Sequence, residues 1–227
     1  MSQPPFDGSH DFSHVERVVA LAQHLLLSEK QLHPNVQYRS DIVLLTALLH
    51  DIGDSKYVST EDSDQAHASQ QSETAEAILL RHGASHDLAS TVQTLVGNVS
   101  CSHELRHSDL VAATAAKLPE LTIVQDADRL DALGAVGVAR AFTYGGARGR
   151  TLAQGMGVFE SKLLMREGMM GTVRGKEIAR ERCGRLRIFM GWWAEEEGEV
   201  DGGGDTLAVC GCSSLLLSGV KDQARSA

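Results

Sequence analysis

The sequence predicts an all-α fold, a bundle of packed helices, and three observations carry that expectation. Hydrophobic residues reach 42% of the chain while aromatics make up only 4%. The apolar set is mostly Ala, Leu and Val, a mix that favours helices over a β-sandwich. Apolar residues also recur at three- and four-residue spacing in several segments, with no internal repeat and no strand–helix alternation.

The first helix is expected from Ser13. Ser13 reads as an N-cap and Glu16 completes a Ser-x-x-Glu capping box. Val15, Val18, Val19, Ala22, Leu25 and Leu26 then form a stripe to about Leu27, with His14 in the first turn. Residues 28–39 are polar, contain Pro34 and Asn35, and read as a loop. Ser40 or Asp41 should cap the next helix. Its run IVLLTALL is apolar on nearly every face, which places it at the centre of the domain.

Residues 53–64 read as an exposed loop, followed by a helix from about Ala66 to Arg81 that Gly83 ends. Ser85 caps another through Val96. A further helix spans Asp109 to Leu118 and stops at Pro119. A longer helix is expected from Glu120 to about Phe142, then a glycine and arginine loop, TYGGARGR, and one or two helices over 156–197. After Glu197 the glycines cluster and helical periodicity is lost. The expected organisation is one domain over 8–197 and a low-order, glycine-rich tail over 198–227.

The formal charge is −9 without a large basic block, which argues against bulk nucleic-acid binding. The four cysteines form no disulfide framework, so reduced thiols and a cytoplasmic location are expected. The N-terminus is polar, without the apolar core of a signal peptide. No stretch approaches the roughly 20 apolar residues of a membrane span.

The chemistry concentrates in three places. His50 and Asp51 end the apolar run LLTALLHDIGD, where polar atoms beside a core need partners. His14 lies upstream in SHDFSHVERV, and Asp126, Asp128 and Asp131 lie downstream in QDADRLDALGA. A mixed imidazole and carboxylate set suits a hard or borderline divalent cation such as Mn, Fe, Mg, Co or Zn. Such an ion polarises phosphoryl oxygens and activates water near neutral pH. Cys210-x-Cys212 has no second ligand pair, so a thiolate zinc site is disfavoured. Asp126 and Asp128 stand about 200° apart on a helix, whereas Asp128 and Asp131 share a face. Leu121, Val124, Asp128 and Ala135 fall on one stripe, so Asp128 is expected to face the core and Asp126 to be solvated or capping.

His14, then His50-Asp51, then Asp128, in fixed order, resembles the HD-domain superfamily of metal-dependent phosphohydrolases. HDFSHVERV, ALLHDIGDSKY and IVQDADRLDALGAVGVARAFTYGGARGR look like its small stand-alone hydrolases. The resemblance spans roughly residues 8 to 197. It implies an HD-domain helical bundle and one divalent ion, manganese favoured, held by His14, His50, Asp51 and Asp128. The family pattern Asp-Lys/Arg-x-Asp places the ligand at its first Asp, here Asp128. The implied reaction is hydrolysis of a small-molecule phosphate ester or anhydride, with a nucleotide as expected substrate. Some members convert nucleoside triphosphate to monophosphate and pyrophosphate. Alternatives are a signalling-nucleotide phosphodiesterase, a 5′-nucleotidase, or an inactive nucleotide-binding module; a homo-oligomer stays open. Asp54, Lys56 and Asp131 are expected in catalytic roles, and Arg17, Arg129, Tyr144 and Arg148 against the substrate. Relatives carry a longer segment before the final helices, with a histidine where this chain has Val158. That difference falls on the substrate pocket.

Overall fold

The computed structural model describes residues 12–52 and 73–201. The described residues form ten α-helices and no strand. They are α1 (Phe12–Leu32), α2 (Ser40–Leu49), α3 (Ala75–Arg81), α4 (His86–Val99), α5 (Cys101–Arg106), α6 (Ser108–Lys117), α7 (Glu120–Asp131), α8 (Gly134–Ala147), α9 (Leu152–Val158) and α10 (Val173–Asp201). Between α9 and α10 the winding changes to a π-helical turn, Phe159–Leu163, and then to a 3₁₀ segment, Leu164–Met169. The chain divides into two units, Met1–Met190 and Gly191–Ala227. Residues 202–227 of the expected tail lie outside the described residues, and 198–201 continue α10.

In the first unit α1, α2 and α7 pack together and α4 closes against them. The stripe read from the sequence is the one that buries: Val18, Ala22, Leu25 and Leu26 of α1 meet Ile42, Val43 and Ala47 of α2. Leu121, Val124, Ala127 and Leu130 of α7 complete this core with Leu95, Val99, Phe159 and Leu186. A smaller apolar cluster joins Leu49 to Ala75, Leu79, Ala89, Val92 and Val96 of α3 and α4.

Several boundaries differ from the sequence reading. α1 continues to Leu32, through residues expected as loop. Ser, Glu, Lys and Gln are tolerated or favoured in helices, and Glu29 is buried, accepting from the Val173 backbone N–H at 3.3 Å and from the Tyr38 hydroxyl at 3.5 Å. Ser13 sits inside α1, and its hydroxyl accepts from Arg17 at 2.9 Å. Arg39, in extended conformation, occupies the N-cap of α2, while the Ser40 hydroxyl accepts from Lys30. α3 begins at Ala75 behind an N-cap at Thr74, and the earlier part of its expected range is not among the described residues. Ser85 caps α4 as expected, accepting from the Leu88 N–H at 3.3 Å.

The helix expected over 120–142 is two helices. Leu133 is extended and Gly134 has φ +72°, a left-handed conformation that side-chain-bearing residues rarely adopt. The chain therefore turns sharply between Asp131 and α8. Tyr144, Gly145 and Gly146, expected in a loop, belong to the last turns of α8, where the Gly145 carbonyl accepts from the backbone N–H groups of both Arg148 and Arg150.

The N-terminus of α10 is fixed by a residue expected to be solvated or capping. Asp126 is 0% exposed. Its carboxylate accepts from the backbone N–H groups of Gly171 and Thr172 and from the Thr172 hydroxyl, and it pairs with Arg129 at 3.4 Å. It thus caps a helix, but one far downstream in the chain. A side chain at Gly175 would meet Thr172 Oγ1 and Asp126 Oδ2, so the close approach needs glycine there. Burial pushes the Asp126 pKa up, and the Thr172 and Gly171 hydrogen bonds and the charge of Arg129 oppose it without cancelling it. Asp126→Ala would strand these donors and leave Arg129 short of a buried partner. Urea unfolding should show a loss of about 3–5 kcal/mol. A loss below about 1 kcal/mol would mean that the junction contributes little to holding α10.

Candidate metal centre

His14, His50, Asp51 and Asp128 come from three helix termini: the start of α1, the end of α2 and the last turn of α7. His14 is 1% exposed. Its Nδ1 lies 2.7 Å from Asp131 Oδ2. His50 Nδ1 lies 2.8 Å from the Ala47 carbonyl oxygen. A carboxylate and a carbonyl oxygen only accept, so both imidazoles carry their proton on Nδ1. In its neutral form each imidazole then presents a lone pair at Nε2. The two Nε2 atoms face each other at 3.2 Å.

With both rings neutral the two lone pairs repel unless a cation lies between them, whereas a protonated His14 donates across the gap. Two carboxylates converge on the same point. Asp51 oxygens lie 3.4 Å from His14 Nε2 and 3.5 Å from His50 Nε2. Asp128 Oδ1 lies 3.7 and 3.9 Å from the same nitrogens. Donor atoms held about 2.1 Å from one ion stand roughly 3–3.5 Å apart, so this set is close to ligating geometry. Ligand atoms of His14, His50 and Asp128 all fall within 4.8 Å of one another. The donor chemistry fits a divalent cation, and each imidazole already makes the outward hydrogen bond that orients a metal-binding histidine.

Asp131 supplies one of those bonds from a fully buried position. It also accepts Arg17 Nε at 2.7 Å on Oδ1, Arg17 Nη2 at 3.0 Å on Oδ2 and Arg140 Nη1 at 2.9 Å on Oδ2. Burial alone would raise its pKa, but His14, Arg17 and Arg140 hold it well below the usual carboxylate range. It is ionised at any working pH. For His14, burial disfavours charge, yet the hydrogen bonds to Asp131 and Asp51 outweigh burial and place its pKa above the ordinary value.

A cleft of about 280 Å³ opens over this cluster. His14, His50, Asp51 and Asp128 line it together with Ser100, Cys101 and Ser102 and with the cations Arg140, Arg150, Lys162 and Arg166, beside Tyr144 and Val158. Val158, Lys162 and Arg166 are four residues apart, at the end of α9, in the π turn and in the 3₁₀ segment, and all three line the cleft. The Arg148 guanidinium stacks 3.6 Å over the Tyr144 ring, with Arg150 at 5.7 Å.

Two expected substrate contacts lie elsewhere. Arg129 is buried and turned from the cleft, donating to the Met169 carbonyl at 2.6 Å and pairing with Glu104 and Asp126. It is one residue from Asp128, which on a helix is about 100° away. Arg17 does not line the cleft and holds Asp131 instead. Asp131, expected in a catalytic role, is likewise shut off from the cleft and touches His14. Tyr144 does line the cleft, whereas Arg148 lies on its ring. Asp54 and Lys56 are outside the described residues. The sequence reading passed over Lys162 and Arg166; the four-residue spacing from Val158 was the available signal.

The stripe argument for Asp128 also needs correction. The fully buried members of the block are Asp126 and Asp131, whereas the Asp128 side chain is 22% exposed because it faces the cleft. Asp126 and Asp128 do point in different directions, one toward α10 and one toward the histidines. Asp128→Asn should lose bound metal by elemental analysis. Asp126→Asn should keep metal while lowering stability. Metal retained in the first variant and lost in the second would assign the site to the wrong carboxylate.

The HD domain family model matches residues 11–133. Over 187 residues the chain is 33% identical to the uncharacterized protein YpgQ of Bacillus subtilis (strain 168), covering 80% of this chain and 81% of the relative. The crystal structure of that Bacillus subtilis protein in complex with ADP superposes with a TM-score of 0.60 at 29% identity, covering 87% of this chain and 93% of the other. A crystal structure of a Lactobacillus plantarum protein superposes with a TM-score of 0.65 at 25% identity, covering 85% and 89%. The chain belongs to the HD domain family, within the superfamily of metal-dependent phosphohydrolases.

Proposed function

We propose that this protein is a nucleotide phosphohydrolase that cleaves nucleoside triphosphate to monophosphate and pyrophosphate. The observation that carries the reading is the facing pair of imidazole Nε2 atoms, 3.2 Å apart with Asp51 and Asp128 beside them, in a cleft also lined by cations. His14, His50, Asp51 and Asp128 would hold the ion, with manganese favoured by the family resemblance among the divalent ions that this donor mix suits. When bound, such an ion supplies Lewis-acid polarisation of a phosphoryl oxygen and a nucleophilic water near neutral pH.

The remaining work falls to side chains of this chain. Asp131 fixes the His14 tautomer, and the Ala47 carbonyl fixes that of His50. Arg150, Lys162 and Arg166 line the cleft that holds the ligand cluster and, among the described residues, none is paired with a carboxylate. Three such cations in one cleft match a substrate bearing several phosphate charges rather than one. In a chain with a formal charge of −9 this lining departs from the general balance. Tyr144, with Arg148 stacked on its ring, lines the same cleft and would pack beside a nucleobase held there. The relative determined with ADP shows that a protein similar to this one takes a nucleotide with two phosphates.

A screen of divalent metals against nucleotides, with products identified, tests the reading. Manganese should support release of pyrophosphate and monophosphate in equal amounts, and His50→Ala should lower the rate by about 100-fold or more. Orthophosphate as the first product would indicate a 5′-nucleotidase, and a linearised product from a cyclic nucleotide would indicate a phosphodiesterase. Either outcome replaces the proposal.

A further inference from the structure

Two arginines hold Asp131, and only one of them also lines the cleft. Arg17 grips both carboxylate oxygens from α1, at 2.7 and 3.0 Å, and is absent from the cleft wall. Arg140, from α8, reaches Oδ2 through Nη1 at 2.9 Å. Its side chain is 14% exposed and lines the cleft with His14, His50, Asp51 and Asp128. The oxygen it bonds is the one that takes the His14 Nδ1 proton at 2.7 Å. Arg140, His14 and Arg17 Nη2 therefore meet on a single carboxylate oxygen, and of the two arginines Arg140 is the one that also lines the cleft.

We infer that Arg140 is a substrate-contacting residue that ties phosphate binding to the orientation of His14. This rests on the phosphate-substrate reading above. A guanidinium is planar, carries five donors in a fixed fork and never accepts. With Nη1 committed to Asp131, the rigid plane fixes the direction of the other donors of a side chain that lines the cleft. A phosphate oxygen bound there pulls on the group that fixes Asp131, and Asp131 fixes His14. Binding of anion and of metal are then linked through Arg140, and linkage of binding free energies is reciprocal. Arg17 stabilises the same carboxylate without that second contact. It provides the comparison.

The test compares wild type, Arg17→Ala and Arg140→Ala, with thermal melts confirming that each is folded. Two quantities are read: manganese affinity without nucleotide, and equilibrium binding of α,β-methylene ADP, which resists hydrolysis, at saturating manganese. Both variants should bind manganese about 10-fold or more weakly, because each loosens Asp131. Only Arg140→Ala should also bind the diphosphate analogue about 10-fold or more weakly. Arg140→Lys, which keeps the charge but not the fork, should fail to restore both affinities together. Equal analogue binding by Arg17→Ala and Arg140→Ala would overturn the inference, since Arg140 would then be only a support. Unchanged manganese affinity in Arg140→Ala would overturn it too, since the tie to His14 would be missing. If wild type itself binds no analogue, the phosphate reading falls and the inference with it. That result differs from both others, in which wild type binds.

Discussion

One hydrogen bond governs the site: the 2.7 Å contact from His14 Nδ1 to the buried carboxylate of Asp131. It decides which imidazole nitrogen keeps its lone pair. It also joins α1 to the end of α7, and through Arg140 to α8. A buried carboxylate alone would be costly. Here two arginines and a histidine compensate it, so the desolvation penalty is met by groups that the cleft also needs in fixed places. Without the Asp131 contact, His14 Nε2 would have no reason to face His50 rather than turn away.

Asp126 obeys the same physics with a different outcome. It sits on α7 like Asp131, is buried to the same extent, and is also surrounded by donors. Its donors are backbone N–H groups and a hydroxyl at the start of α10, with Arg129 behind. The site and the attachment of the long final helix are therefore built on one short helix. Within six residues α7 carries Asp126 for the fold, Asp128 for the cleft and Asp131 for the orientation of His14.

Much of this was legible in the sequence, and what was not has a common cause. The periodic helices α1 and α4 and the nearly all-apolar α2 follow from local pattern, whereas the joining of His14, His50-Asp51 and Asp128 was expected from the family resemblance. The role of Asp126 was not legible, because its partners lie 45 and 46 residues downstream. Arg129 looked like a substrate contact for the same reason: neither Glu104 nor the Met169 carbonyl is near it in sequence. The cleft residues Lys162 and Arg166 lie in a stretch wound as π and then 3₁₀ helix. Their four-residue spacing from Val158 was visible in the sequence, but the residues distant in the chain that complete the cleft with them were not. The break before α8 was legible in part, since Gly134 is the residue such a turn requires.

The burial of α7 bears on how selection would act on it. Its sequence is rich in charge, yet ten of its twelve residues are buried. Thr122 and Asp128 are the two that retain appreciable exposure. On most helices an invariant charged position among variable neighbours advertises chemistry. On α7 that contrast should vanish, because packing constrains the neighbours as tightly as reactivity constrains Asp128. The residue closest to the chemistry is also among those with the most room around it. Variation among descendants of this chain would therefore mark the structural carboxylates as strictly as the functional one.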